Sequence, residues 1–304
     1  MGIHLVVALV LASTLQVSIL PLRDRRSPYP LFNGTDLGGW VVPEGKSKQF
    51  VVRDGVLQIK GDSDWLLTTT AFNDFVLTFE ARAATTDSVG GVLVRAATFA
   101  GHRVAYEVQV ANREKSSSLL LQHYDRNVVP SLDKPPAVIS KTGQWYRYRV
   151  KCTEDVVRVW RDGVELVAVD ELSLTTAPIA LHAIRGAVEV RNVHVMEVAP
   201  PQLVLPEGAV RLRYPLTESP HPIKRVKPRY PRLAMDLKVE GEVWVECVVE
   251  TDGRVEQCVV VRRLLHELEM EALRAAKAWR FKPGTRNGTP VPVVVTIQMT
   301  FTLR

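Results

Sequence analysis

Residues 242–262 read EVWVECVVETDGRVEQCVVVR, two valine-rich runs joined by an Asp-Gly step at Asp252-Gly253. Alternating apolar residues predict strands, and an Asp-Gly pair between two such runs is a strong signal for a tight hairpin. A helical pattern follows from about His266 to Trp279, and a last valine-rich strand spans 291–303. The C-terminal part is therefore predicted to be a small β-β-α-β unit of the α+β class.

Two of the three cysteines, Cys247 and Cys258, lie on either side of this turn. A turn centred on Asp252-Gly253 makes them face each other and allows a disulfide, whereas a register one residue away pairs valines and leaves two separate thiols. Both outcomes stay open, and Cys152 is a free thiol in either case. No cysteine has the Cys or His spacing of a zinc site, so neither a metal nor a cofactor is predicted.

Five motifs follow one another in this part of the chain: KPRYP at 227–231, EGEV at 240–243, DGRV at 252–255, a helix that ends in WRFKP at 279–283, and a last strand that ends in FTL at 301–303. In this order they resemble the TonB C-terminal domain family. The resemblance implies a periplasmic module whose last strand offers its edge to a short segment of an outer-membrane receptor. It implies docking residues at Lys227, Arg229, Tyr230, Val291, Val293, Val295, Ile297, Met299 and Phe301.

Residues 31–198 are dense in short alternating runs, such as FVLTF at 75–79 and YEVQV at 106–110, with Asp-Gly turns between runs at 54–55 and 162–163. No stretch in this half sustains a helical period. Regular short strands without helices predict a β-sandwich or jelly roll. The whole chain is therefore predicted to be mainly β, with the small α+β unit at its C-terminal end.

The opening LFNGTDLGGW at 31–40, the run GGVLVR at 90–95, the strand at 106–110 and the run VRNVHV at 190–195 resemble the 3-keto-disaccharide hydrolase domain. This is a concanavalin-like jelly roll related to family 16 glycoside hydrolases. The resemblance implies a sugar site on one face of a sheet, where Glu107 and Gln109 share a side because strand residues alternate. Glu107 is the catalytic candidate. The carbohydrate-binding candidates supply planar hydrogen bonding or an aromatic platform, and they are Arg95, Gln109, His123, Trp145 and His182.

A glycosidase normally needs two carboxyl groups at a fixed separation. No second carboxylate accompanies Glu107 in a recognisable pattern, so sugar binding without catalysis and glycoside hydrolysis are both carried forward.

The first 22 residues predict a signal peptide or a signal anchor, because an apolar run begins at Leu5 and basic residues follow from Arg23. Retained, residues 3–20 would anchor the chain in the inner membrane. A proline-spaced stretch over 199–222 predicts a linker. The predicted domains are thus a jelly roll over 28–198 and a TonB-like unit over 223–304, exported to the periplasm.

Composition supports a globular protein, with 46% hydrophobic and 24% charged residues among 304. The formal charge is +6, and residues 223–304 hold fifteen Lys and Arg against ten Asp and Glu. This excess favours an acidic partner; without a nucleic-acid motif, nucleic acid is not expected. Three functions remain: a periplasmic protein that docks a receptor and binds a glycan, a secreted glycoside hydrolase with a localising tail, and a membrane-anchored energy transducer.

Overall fold

The computed structural model describes residues 27–99, 102–111, 120–123, 140–169, 174–199, 201–211 and 216–303. They form two compact units that meet in the sequence at Ala199. The predicted leader at 1–22 lies outside the described residues. Within the part that is described, no helix is long and apolar enough to span a membrane.

The first unit is built from strands. They are β1 (Tyr29–Pro30), β2 (Trp40–Val41), β3 (Phe50–Arg53), β4 (Val56–Lys60), β5 (Leu66–Phe72), β6 (Phe75–Ala83), β7 (Val89–Phe99), β8 (His102–Ala111), β9 (Leu120–His123), β10 (Tyr146–Thr153), β11 (Val156–Arg161), β12 (Val164–Val169), β13 (Ala177–Arg185) and β14 (Ala187–Glu197).

These strands make two antiparallel sheets. The first sheet has the order β12-β11-β10-β6-β14-β4-β3, with β1 added to β14, and the second has the order β2-β5-β13-β7-β8-β9. Strand β6 buries every second residue, and Phe79 stacks on Tyr148 at 5.0 Å between ring centroids. This alternation is the pattern of a sheet with one face on a core. The prediction of a mainly β chain is confirmed.

The second unit contains both α-helices of the described residues, whereas the first has only a short 3-10 helix at Ser47–Gln49. Its elements are β15 (Val210–Arg211), β16 (His221–Lys224), α1 (Arg232–Asp236), β17 (Gly241–Val249), β18 (Val255–Arg262), α2 (His266–Lys277), β19 (Arg280–Lys282), β20 (Gly284–Arg286), β21 (Thr289–Val291) and β22 (Val293–Phe301). The main sheet has the order β15-β22-β17-β18, and α2 packs on β17 and β18. The buried helix face includes Leu268, Ala272 and Ala276. The predicted α+β unit is confirmed.

The hairpin turn between β17 and β18 requires glycine at position 253. Gly253 has φ +80°, and a Cβ there would overlap the carbonyl oxygen of Phe281, whose amide donates to Gly253 O at 2.9 Å. Only glycine combines this backbone angle with so close an approach. The turn residue therefore also ties β19 to the hairpin.

The hairpin combines the two registers that the sequence left open. Val249 lies opposite Val255 next to the turn, and beyond an irregularity Cys247 lies opposite Cys258. The two cysteines form a disulfide with a Cα–Cα distance of 4.2 Å. One extra residue in one strand is what a β-bulge provides, so valine pairing and cysteine pairing occur in the same ladder.

The stretch predicted as a linker, 199–222, includes all of β15 and the first residues of β16. Strand β15 pairs in parallel with the start of β22, and β16 pairs with β19. Part of this stretch therefore belongs to the β-sheets of the second unit, and not all of it is an extended linker.

Candidate functional site

Glu107 and His182 form a buried pair in the first unit. His182 Nε2 lies 2.9 Å from Glu107 Oε1. The side chains are 2% and 0% exposed, respectively. A carboxylate beside an imidazole fixes the orientation of the ring and favours the form in which Nε2 carries a hydrogen. The pair has the composition of a general base and the group that orients it.

Strand order explains how the two side chains meet. His182 lies on β13 and Glu107 on β8, with β7 between them. Two strand spacings place their backbones roughly 10 Å apart. The residue of β7 opposite His182 is Gly91. A Cβ at Gly91 would overlap the carbonyl oxygen of Val108, so glycine allows β7 to lie close to β8 at this point between the two side chains.

The pair lies on the face of the second sheet that points away from the first sheet. An apolar cluster on the same face comprises Trp65, Leu67, Leu93, Ala96, Ala105 and Ala180, all from the second sheet or its approach. Gln109 shares this side and is half-buried, opposite Gly91. Glu107, His182 and Gln109 are therefore brought together on one face. We call this surface the second-sheet face.

Two charged residues border the cluster. Arg103 Nη2 donates to Asp64 Oδ2 at 2.9 Å, and its guanidinium stands 5.3 Å from the centroid of the Trp65 ring. The hydrogen bond from Arg103 holds the pKa of the Asp64 carboxyl below its usual value. The sequence offered no signal for Arg103 or Trp65 because their partners are distant in the chain.

Two predicted sugar-binding residues lie elsewhere. Arg95 has φ +55° at an irregularity of β7, and it is fully buried. It donates to the backbone oxygens of Leu174 at 2.6 Å and Glu154 at 2.5 Å. These contacts link separate chain segments, so Arg95 has a structural role. Trp145 lies beside the first sheet, where Arg191 and Arg82 stand 4.1 Å and 4.6 Å from its ring centroid.

His123 ends β9, where its backbone pairs with Val104 of β8. In the described residues, no cluster of three or more His, Cys, Asp or Glu side chains could hold a metal ion.

Strand β22 forms a partly open edge of the C-terminal sheet, and β18 forms the opposite edge. Strand β17 pairs with β22 along its whole length, whereas β15 pairs only with Val293 and Val294. Beyond Val294, no strand among the described residues pairs with this edge. We call 295–301 of β22 the open edge.

Backbone alternation identifies the groups that face outward. Val210 of β15 donates its amide to the carbonyl of Pro292 at 2.9 Å, so the peptide groups of residue 292 point away from β17. Successive residues of a strand point their backbone groups to opposite sides. The open edge therefore presents the N–H and C=O groups of Thr296, Gln298 and Thr300.

Most docking residues predicted in the last strand occupy the core. Val293, Val295, Ile297, Met299 and Phe301 are at most 7% exposed. Their backbone groups point to β17 by the same alternation. Val291 belongs to β21, which pairs with β20.

The basic segment before α1 contains one residue that packs against the domain and two exposed cations. Tyr230 donates to the Val239 carbonyl and meets the Phe301 ring edge-on at 5.8 Å. Lys227 and Arg229 are exposed, although the backbone amide of Arg229 donates to Glu271 Oε2 at 3.0 Å. Tyr230 therefore anchors the segment, and the two cations stay available to a partner.

A family model described as the 3-keto-alpha-glucoside-1,2-lyase-like domain matches residues 28–196, more than half of the chain. The chain belongs to this family. A second model, the Gram-negative bacterial TonB protein C-terminal domain, matches residues 226–303. The protein thus joins a lyase-like domain to a TonB C-terminal domain.

Curated relatives match the TonB domain. Protein TonB of Vibrio cholerae is 34% identical over 80 residues, which are 26% of this chain and 33% of that protein. Protein TonB of Escherichia coli K12 is 33% identical over 70 residues, 23% of this chain and 29% of that protein. The chain therefore spans no more than about a third of the length of these relatives.

Solved structures match the lyase-like domain. A putative glycosyl hydrolase from Parabacteroides distasonis is 18% identical with a TM-score of 0.44, covering 57% of this chain and 94% of that one. The carbohydrate-binding module CBM66 from Bacillus subtilis is 13% identical with a TM-score of 0.42, covering 52% and 96%.

Proposed function

We propose that this protein works in the bacterial envelope, where its TonB domain docks a receptor segment by strand addition and its lyase-like domain binds a glycan. The observation that carries the proposal is the open edge of β22. An unpaired sheet edge is a template for another strand, and backbone hydrogen bonds supply the affinity. Curated relatives that share this domain are TonB proteins.

The disulfide supports a location outside the cytoplasm. Cys247 and Cys258 are bonded within one hairpin. Disulfides persist in oxidising compartments such as the periplasm and are rare in the cytosol of most organisms. This agrees with export through a leader at 1–22.

The chemistry around the open edge suggests what kind of segment binds. Lys227 and Arg229 are exposed near the entrance of the domain. Cations at the rim of an interface steer oppositely charged partners and raise the association rate. The proposed partner is therefore an extended, acidic segment of an outer-membrane receptor.

Binding of synthetic peptides to the full chain tests this proposal. The peptides are copied from periplasm-exposed segments of outer-membrane receptors, and calorimetry measures their affinity. A matched peptide methylated on alternate amide nitrogens keeps its side chains but loses the donors that a strand needs. Strand addition predicts that this peptide fails to bind. Equal binding of both peptides would exclude strand addition.

The lyase-like domain is proposed to hold its glycan on the second-sheet face, at Gln109 and Arg103, beside the buried Glu107–His182 pair. The Arg103 guanidinium lies over the buried Trp65 ring. Planar amide and guanidinium groups suit the hydroxyls of a sugar ring. Loss of glycan binding in Gln109→Ala, with Arg103→Gln measured beside it, would support this placement, and unchanged binding in both would contradict it.

A second candidate function is elimination from a 3-keto-glucoside, and the Glu107–His182 pair favours it. A ketone at C3 acidifies the C2–H bond, and a base beside C2 can take that proton. The electron pair of the C–H bond then forms the C1–C2 double bond as the C1–O bond breaks, and the alcohol leaves with a proton. His182 is the proposed base and Glu107 the group that orients it.

Turnover of a 3-keto-glucoside by the full chain tests the second candidate. Glu107→Gln and His182→Asn should each reduce it by at least about 100-fold, which is the lower range for general base catalysis. His194→Asn is the matched control, because His194 lies on β14 of the first sheet and its Nδ1 lies 3.0 Å from the carbonyl oxygen of Asn192, two residues away. Absence of turnover in the wild-type chain would leave the domain a binding module.

A further inference from the structure

The first sheet has a groove on the face that points away from the sandwich core. Its cavity volume is about 730 Å³, and its lining includes Trp145, Trp160, Arg147, Arg149, Glu80 and Arg191. The residues between these positions, such as Tyr148 and Phe79, are buried in the core. The groove therefore lies on the opposite side of the sandwich from the second-sheet face, and it is a separate site. We call it the first-sheet groove.

Two tryptophans form the aromatic part of the groove. Arg149 stands 4.9 Å from the ring centroid of Trp160, its cross-strand neighbour on β11. At the other end, Trp145 is held by Arg82 and Arg191. Cation–π contacts of this kind fix the orientation of an indole. Trp145 and Arg149 are four residues apart along the chain, so the groove extends for roughly 13 Å in the strand direction.

Two arginines in the groove have guanidinium groups that make no ion pair within the described part of the chain, although the backbone amide of Arg147 donates to Asp162 Oδ1 at 2.9 Å. Arg191 pairs with Glu80 at 2.8 Å, and Arg82 pairs with Glu189 at 2.5 Å. By contrast, Arg147 and Arg149 are exposed, and within the described part of the chain no carboxylate lies within ion-pair distance of either guanidinium. The two are alternate residues of β10, so they point to the same side roughly 7 Å apart.

We propose that the first-sheet groove binds an acidic polysaccharide, with carboxylates on Arg147 and Arg149 and sugar rings along Trp145 and Trp160. A guanidinium binds a carboxylate through two parallel hydrogen bonds, and an indole packs against the apolar face of a sugar ring. The groove is open and elongated, which suits a chain of sugars better than a single one.

The carboxylates in the groove distinguish this ligand from nucleic acid. Glu80 and Asp162 line the same groove. Carboxylate oxygens accept hydrogen bonds from sugar hydroxyls, which a polysaccharide offers on every ring and single-stranded DNA lacks along its chain. The groove therefore favours an acidic ligand with many hydroxyl groups.

Affinity electrophoresis of the full chain tests the proposal with polygalacturonate as the probe. Its fully methyl-esterified form keeps the polymer but removes the charge, and single-stranded DNA tests the other polyanion. We expect binding to polygalacturonate alone, weakened at least tenfold in Arg147→Gln/Arg149→Gln and in Trp160→Ala. The variant Arg53→Gln/Lys60→Gln removes the same charge from exposed positions on β3 and β4, and it should bind like the wild type.

Three results would overturn the proposal. The first is that the Arg147 and Arg149 variant binds polygalacturonate like the wild type. The second is that the Arg53 and Lys60 control loses as much affinity for polygalacturonate as that variant. The third is that DNA binds more tightly than polygalacturonate and that the groove substitutions abolish its binding. Thermal unfolding of each variant shows that it is folded.

Discussion

Replacing Thr296 with proline should weaken receptor-segment binding while leaving the TonB domain folded. Thr296 has an exposed side chain on β22, and its amide points to the open edge rather than to β17. Proline removes that amide, and a proline is tolerated in a strand where its nitrogen faces away from the ladder. The substitution therefore removes one intermolecular hydrogen bond and adds a ring at the contact.

The expected loss of affinity follows from that single hydrogen bond. A backbone hydrogen bond contributes about 0.5–1.5 kcal/mol net, and a carbonyl left buried without a partner costs about 1–3 kcal/mol. Since about 1.4 kcal/mol corresponds to a tenfold change in Kd, Thr296→Pro should weaken the peptide by roughly 10- to 100-fold.

Calorimetric titration of the full chain with the receptor peptide measures this loss. Thr296→Ala keeps the amide and should bind within about twofold of the wild type, which is the scale of a surface substitution. Ile297→Pro places the ring on the side of β17 and should unfold the domain instead. Wild-type affinity in a folded Thr296→Pro variant would refute strand addition at this edge.

Three further predictions concern other parts of the chain. Cys247→Ser/Cys258→Ser opens a loop with a sequence separation of 11 and should lower the free energy of unfolding by about 2–3 kcal/mol in urea titrations; no change would mean that the bond is absent in solution. Burial raises the pKa of the Cys152 thiol to about 12, so an aromatic disulfide reagent at pH 8 should label it only after denaturation, and rapid labelling of the native chain would contradict its burial. Arg103 lowers the pKa of Asp64, so the pair stabilises the fold fully above the unfolded carboxyl pKa of about 4 and loses that contribution as the pH falls through the lowered pKa of the folded state. Asp64→Asn should cost less than about 1 kcal/mol at pH 7, and a cost that does not decrease as the pH falls from 7 to 2 would exclude the ion pair as its cause.

Local patterns predicted the elements and the fold class. The Asp252-Gly253 turn, the alternation in FVLTF at 75–79 and the helix after His266 each rest on neighbours in sequence, and the structure has all three. Local chemistry decides such features, because turn residues and side-chain periods act over a few positions.

Pairing between strands that are distant in the sequence determined the features that local patterns could not predict. Trp145 and Glu107 belong to opposite sheets because β10 pairs with β6 and β8 pairs with β7. Arg95 turned inward because β7 changes register there. The positions of Trp145 and Arg95 depend on strands that are distant in the sequence. Side-chain alternation could therefore place Glu107 and Gln109 on one face, but it could not show that Trp145 and Arg95 lie outside that site.

The open edge of β22 was likewise predicted only in part from the sequence. The sequence predicted β22, but the parallel pairing of β15 at Val293 and Val294 came from a stretch that reads as linker. That pairing also shows which peptide groups face outward, because Val210 bonds to Pro292. The alternation of side chains along β22 does not by itself show which set of peptide groups faces away from β17.

Residue-resolved amide hydrogen exchange of the full chain, with and without the receptor peptide, tests docking at the open edge most directly. We expect the peptide to slow exchange at Thr296, Gln298 and Thr300, while Ile297 and Met299 exchange slowly in both states because their amides bond to β17. Peptide binding that protects other amides and leaves these three unchanged would contradict docking at this edge.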